Sequence, residues 1–320
     1  MHEELAEKVT AGSIRAAARL ITLVENRDPA AREVMKSIHR AAGKAQIWGF
    51  TGPPGAGKST LVDAVTTKLR EQGKTVGIIA IDPTSPFTGG AILGDRIRMN
   101  RHSLDEGVFI RSMATRGHLG GLTRATVDAV NILDALGRDV VMIETVGVGQ
   151  DEVDIVKTAH TSVVILVPTL GDDIQAMKAG ILEIGDVFLI NKADLDGATR
   201  TQVEIEMMLD LAPRRAAWRP PVLKTIANAG EGITETLEAI ARHRDYLLSS
   251  NELGAFNRRR SEWELLGLLQ EQMTHFALAE VLRPGDLDRH LDAITARQTD
   301  PFSVIDEIIT KLRRGGSAAR

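Results

Sequence analysis

The chain contains no cysteine. That excludes disulfides, thiolate zinc sites, iron–sulfur clusters and cysteine nucleophiles. It also lacks any uninterrupted apolar run near the ~18–20 residues that a membrane-crossing helix needs. Its first residues, MHEELAEKVT, are charged and carry no apolar signal core. The expectation is a soluble, cytoplasmic protein with no membrane partner. Charge of one sign is missing too: 39 Lys and Arg stand against 43 Asp and Glu, a net −4, so little favours nucleic acid or an anionic surface. The local run Arg258, Arg259 and Arg260 has acidic neighbours and reads as a solvated helix face. With 320 residues, 43% of them hydrophobic, the chain can bury one large core and carry appendages.

Three regions follow from periodicity. Residues 1–45 read as a helical extension, with Ile14, Ala17, Ala18, Ile21 and Val24 at helical spacing. An Asp cap and a Pro in "RDP" then open a further helix. From 46 to about 250 the period changes to short β-branched runs: QIWGFT, TVGIIAID, GVFIRS, DVVMIET, SVVILVP, DVFLIN and PVLKTIA. Helix-length segments separate them, which is the pattern of strands buried on both faces. The fold class expected is α/β: a P-loop NTPase with a doubly wound, mostly parallel sheet and helical N- and C-terminal extensions. In such sheets a ligand sits beyond the carboxyl ends of the strands. Over 251–320 only helical stripes remain: Leu266, Leu269, Met273, Phe276 and Val281, then Phe302, Ile305, Ile309 and Leu312 after the "DP" at 300–301. This tail either packs on the main domain or serves as a dimerisation arm. The terminal RRGGSAAR reads as disordered.

The chemistry begins at GPPGAGKST, which fits G-x-x-x-x-G-K-[ST] between a strand and a helix. Gly52, Pro53, Pro54, Gly55, Ala56 and Gly57 supply a backbone cradle, and the helix dipole favours an anion there. Lys58 reaches the β- and γ-phosphates, the Ser59 hydroxyl ligates Mg²⁺, and Thr60 completes the motif. NKAD at 191–194 follows a strand and is the guanine-reading motif of GTPases. The Asp194 carboxylate accepts from guanine N1–H and the 2-amino group, which adenine cannot offer, so the misfit is rejected. Asn191 can bond the base edge or support the loop, and the Lys192 stem can lie over the ring. In TIANAGEGI, Ile226, Ala227 and Asn228 stand where a backbone contact to the guanine oxygen is made; a plain strand-to-helix turn is the other reading. ETVGVGQDE carries an acidic-x-x-Gly sensor: Glu144 organises Mg²⁺ and the Gly147 N–H meets the γ-phosphate.

Less specific loops lie at other strand ends. Asp82 sits at a strand tip, positioned for Mg²⁺ directly or through water. Asp95 lies among glycines and is either a mobile site residue or a helix cap. Arg96 and Arg98 face phosphate, a partner or only solvent. Arg116 and His118 in RSMATRGHLGGLT have a structural reading as well as a functional one. PTLGDDIQAMKAG, with Lys178, is a further mobile loop or a capped helix start.

Taken in order, the phosphate loop, DPTS…TGGAILGDR, RSMATRGHLGGL, ETVGVGQ, NKAD and TIANAGEGI resemble the MeaB/ArgK/MMAA-type GTPases, chaperones of adenosylcobalamin-dependent acyl-CoA mutases. The resemblance runs from about 10 to 310. It implies a homodimer that binds GTP/GDP and Mg²⁺, partners methylmalonyl-CoA mutase or a relative, gates cofactor loading and protects or reactivates the mutase. It implies slow intrinsic hydrolysis that the mutase stimulates. It assigns Lys58, Asp82, Asp95 and Glu144 to catalysis, and Ser59, Asp82, Asp95 and Glu144 to the metal. Ile226 departs from the usual Ser, which bears only on the base-oxygen contact. Two other readings share the loop: a GTPase metallochaperone for a nickel enzyme, disfavoured by the absence of cysteine, and a small-molecule kinase, disfavoured by NKAD.

Overall fold

The computed structural model describes residues 2–82, 100–102, 104–114, 124–145, 155, 157–168, 181–211, 218–282 and 285–317. It divides into two compact units, Met1–Phe256 and Asn257–Arg320.

The first unit opens with helices α1 (His2–Thr10), α2 (Ile14–Glu25) and α3 (Pro29–Ala41). The Ser13 hydroxyl caps α2 by accepting the Ala16 N–H, and the Asp28 carboxylate caps α3 by accepting the Ala30 N–H beside Pro29. The buried stripe of α2 is Ala16, Ala17, Leu20, Ile21 and Val24. Leu20 takes the place that spacing gave to Ile14, which is 37% exposed because it is the first helical residue and lies before the turn that meets the core. Ala18 is only partly buried.

Seven strands form one sheet: β1 (Gln46–Thr51), β2 (Val76–Asp82), β3 (Val108–Ala114), β4 (Val140–Glu144), β5 (Thr161–Leu166), β6 (Val187–Asn191) and β7 (Val222–Thr225). Their order is β3-β2-β4-β1-β5-β6-β7, and every pairing is parallel. Between them run α4 (Lys58–Glu71), α5 (Arg124–Ala135), the short α6 (Ile181–Ile184) and α7 (Ala198–Leu211), with α8 (Ile233–Ser249) after β7. Alternate residues of each strand enter different cores, as the period-2 pleat requires. Trp48, Phe50, Ile78, Met142, Val163, Ile165 and Leu189 face α4 and α8. Ile47, Ile79, Ile81, Val141 and Ile143 face α1, α2, α3 and α5. Val164, Leu166, Phe188 and Ile190 face α6 and α7. Helices on both faces explain why the strand sequences read as continuous apolar runs.

One carboxylate joins the helical extension to the sheet. Asp134, near the end of α5, accepts the N–H groups of Gly43, Lys44 and Ala45 at 2.7, 3.0 and 3.0 Å. Both α2 and α3 pack on α5, and Glu25 of α2 pairs with Arg111 of β3.

The long helix α9 (Glu252–Phe276) runs from the end of the first unit into the second, where a π-helical turn (Ala277–Val281), α10 (Asp286–Thr295) and α11 (Pro301–Ser317) follow. Gly285 starts α10 with φ 83°, and the Asp300 carboxylate caps α11 by accepting from Phe302 and Ser303 N–H. That helix runs on through residues 313–317, which the sequence reading had placed in a disordered terminus. No residue of α9 is buried in the isolated chain. Among the described residues, no helix is long and apolar enough to cross a membrane.

Candidate nucleotide site

The candidate residues gather at the carboxyl edge of the sheet, around β1. From β1 the chain first builds β2, β3 and β4 on one side, then crosses to build β5, β6 and β7 on the other. That reversal is the switch point at which such sheets bind ligands.

Residues 52–57 leave β1 as a tight loop, and α4 begins at Lys58. Gly52 has φ 141°, and a Cβ there would overlap the Ile165 carbonyl oxygen. Gly57 has φ 88°, and a Cβ there would overlap the Asn191 amide. Only glycine meets both demands, a left-handed backbone and a bare Cα. Gly57 offers α4 no side-chain cap, so the first N–H groups of the helix remain for an anion. Pro53 and Ala56 are buried, while Pro54, Gly55 and Thr60 are exposed. Lys58 is 7% exposed and turns its Nζ inward, donating to the carbonyls of Gly52 and Pro53 at 2.8 and 3.0 Å. Its charge is held inside the loop.

The acidic edge meets this loop directly. The Ser59 hydroxyl donates to Glu144 Oε1 at 2.6 Å, and both residues are buried. Two hard oxygen donors therefore adjoin at the head of α4, a set that suits Mg²⁺. Among the described residues no group of three or more His, Cys, Asp or Glu could cage a metal, so phosphate and water would fill the rest of its shell. The backbone of Asp82 ends β2, two residues past Ala80, which pairs with Glu144. Asp95, Arg96, Arg98, Arg116, His118, Gly147 and Lys178 lie outside the described residues.

On the other side, Asn191 ends β6, buried. Its amide nitrogen donates to the Ala56 carbonyl at 2.8 Å, and its amide oxygen accepts from Thr225 Oγ1 at 3.2 Å and the Ala227 N–H at 3.1 Å. It thus ties the phosphate loop to the turn after β7. Lys192 follows with φ 57°, a conformation costing a non-glycine residue about 1–2 kcal/mol, of the kind that clusters at functional sites. Lys192 and Asp194 are exposed, and the Ala193 N–H bonds the Thr225 carbonyl. Ile226 bridges Glu231 in both directions, closing the turn through its backbone alone. Between 226 and 231 the Asn228 N–H is the one with no acceptor among the described residues, which leaves it available to a base oxygen.

Sequence reasoning missed two partners. Thr225, one residue before the quoted Ile226, holds the Asn191 amide. Thr145, next to Glu144, donates from its hydroxyl to Thr51 Oγ1 at 3.0 Å, and its N–H bonds the Phe50 carbonyl at 3.1 Å. Both threonines stand inside the quoted strands, and only register could have marked them.

Comparison with known proteins agrees with this geometry. Residues 17–281 match the family described as methylmalonyl Co-A mutase-associated GTPase MeaB. A putative GTPase of Pyrococcus abyssi is 51% identical over 319 residues, covering 99% of this chain and 98% of its own. The mouse mitochondrial methylmalonic aciduria type A homolog is 40% identical over 233 residues, 71% of this chain and 56% of its own. Among solved structures, one described as an LAO/AO transport system kinase superposes with a TM-score of 0.70 at 26% identity, covering 98% of this chain and 97% of that one.

Proposed function

The chain belongs to the methylmalonyl Co-A mutase-associated GTPase family, MeaB, and on that premise we propose that it is a GTP-hydrolysing chaperone of an adenosylcobalamin-dependent acyl-CoA mutase. As a GTPase it binds GTP and forms GDP and phosphate. Its task in this reading is to gate cofactor loading and to protect or reactivate the mutase. The observation that carries the switch is the 2.6 Å bond from Ser59 to Glu144, which joins the phosphate loop to the strand that leads to Gly147.

The residues divide the work as follows. The loop 52–57 and the start of α4 cradle the phosphates, and Lys58 moves its charge from two loop carbonyls onto phosphate oxygens. Ser59 and Glu144, with Asp82 and Asp95, hold Mg²⁺, which neutralises charge on the phosphoryl oxygens. Asp194 reads the guanine edge, Lys192 lies over the ring, and Asn191 fixes the loop between them. The Gly147 N–H reports the γ-phosphate. No described side chain stands ready as a general base, which suits a site that its partner completes. The exposed apolar stripes of α9 and α11 support a homodimer built through the second unit.

The test is direct. The purified protein should prefer GTP to ATP, and Lys58→Ala should lower hydrolysis by on the order of 100-fold or more with the fold intact. Candidate acyl-CoA mutases, tested by pull-down with GTP and with GDP, should include one that binds and accelerates hydrolysis. Preference for ATP defeats the reading of Asp194, and no binding or stimulation by any such mutase defeats the partner assignment.

A further inference from the structure

We propose that Thr145 is a positioning residue for GTP hydrolysis, which through the hydroxyl of Thr51 holds the root of the γ-phosphate-sensing segment against the root of the phosphate loop. The inference rests on the site reading above, in which residues 52–57 cradle phosphate and Gly147 senses it.

Thr51 is the last residue of β1 and Thr145 the first beyond β4, so each immediately precedes one of the two segments. Their side chains are 0% and 2% exposed, in a place where a hydroxyl must find a protein partner. Each finds the other: Thr145 Oγ1 donates to Thr51 Oγ1 at 3.0 Å. The neighbouring bonds make this bridge a register device. The Thr145 N–H donates to the Phe50 carbonyl at 3.1 Å, carrying the β1–β4 ladder one residue past Glu144. One residue back, Glu144 accepts the Ser59 hydroxyl. One residue on from Thr51, Gly52 lies against the Ile165 carbonyl so closely that no Cβ fits. Gly52 is therefore fixed by β5, Glu144 by α4, and the bridge fixes the two chain exits relative to each other. A γ-phosphate lying between loop and sensor is contacted from both exits, so their separation sets whether both contacts form together. GDP has no γ-phosphate and does not test that separation.

The experiment compares Thr145→Val, Thr145→Ser, Thr51→Val and the double valine variant. Valine keeps the shape and removes the hydroxyl. Thr145→Val should slow single-turnover GTP hydrolysis by about ten-fold and shrink the preference for a non-hydrolysable GTP analogue over GDP by a similar factor, with GDP affinity unchanged. Thr145→Ser, which keeps the donor, should recover most of both. Thr51→Val should reproduce the defect, and the double variant should be no worse than either single one, since all three remove one bridge. Thermal unfolding of each variant separates a structural role, which lowers the melting midpoint but leaves the GTP-to-GDP preference alone. Wild-type hydrolysis and preference in Thr145→Val, or equal damage in Thr145→Ser, would overturn the proposal. Lys58→Ala measured alongside tells the two failures apart: if it is also fully active, the site reading itself has failed; if it is inactive while Thr145→Val is normal, only this inference falls.

Discussion

Asn191 shows what a single residue contributes beyond its motif letter. Its amide satisfies the Ala56 carbonyl, the Thr225 hydroxyl and the Ala227 N–H at once, all buried, and Gly57 leaves room for it. Asn191→Ala should strand three polar groups, lowering unfolding stability by about 2–3 kcal/mol and weakening GDP binding along with it. Denaturant titration and a GDP Kd measure the two effects, and an unchanged Kd would show that the loop does not depend on this tie. The motifs themselves were legible because their letters stand at fixed, short spacing. The bond from Asn191 to Ala56 was not, since it spans 135 residues and no local pattern encodes it. Ile226 is intermediate: a backbone role could be inferred from the loss of a serine, and the turn it closes with Glu231 uses backbone only.

At the scale of elements, the strands could be read because each is buried on two faces, and α3 because Asp28 and Pro29 announce it. The packing of α8 could not be read. Its His243 lies under Trp218, with Nδ1 3.0 Å from Thr161 Oγ1 and Nε2 3.4 Å from Asp186 Oδ1. Burial lowers His243 from 6.5 to about 4 and raises Asp186 from 3.8 to about 7. The signs oppose. Between those values the unfolded chain takes a proton at His243 that the folded chain refuses, so this group alone makes stability rise with pH. The folded chain keeps a proton on Asp186 that the unfolded chain has lost, so that group alone makes stability fall as pH rises. Over roughly pH 4.5–6.5 the two slopes cancel and the pair contributes almost nothing. Asp186→Asn should uncover the His243 slope, a gain on the order of 1–2 kcal/mol from pH 4.5 to 6.5. Urea unfolding across that range checks it, and a flat profile in the variant contradicts the assignment.

For the whole molecule, the second unit leaves large apolar side chains in the open: Leu265, Leu266, Leu269 and Met273 on α9, and Phe302, Ile305 and Ile309 on α11. Exposed patches of this kind mark association surfaces. Replacing Phe302 and Ile305 together by Asp should turn a dimer into a monomer at micromolar concentration while GTP hydrolysis by the first unit continues. Sedimentation velocity reads the outcome, and a variant that stays dimeric removes α11 from the interface. The stripe was visible in the sequence, but its period is the same whether a helix packs within its chain or against a second copy, so the choice was not. The joint between α3 and β1 limits how such a chain can vary in length. Gly43, Lys44 and Ala45 give all their N–H groups to Asp134, so the connection has no slack. One inserted residue would carry donors off the carboxylate and leave a buried charge without its cradle. Insertions and deletions are thus barred from this junction, and the three leading helices are inherited with the sheet as one piece.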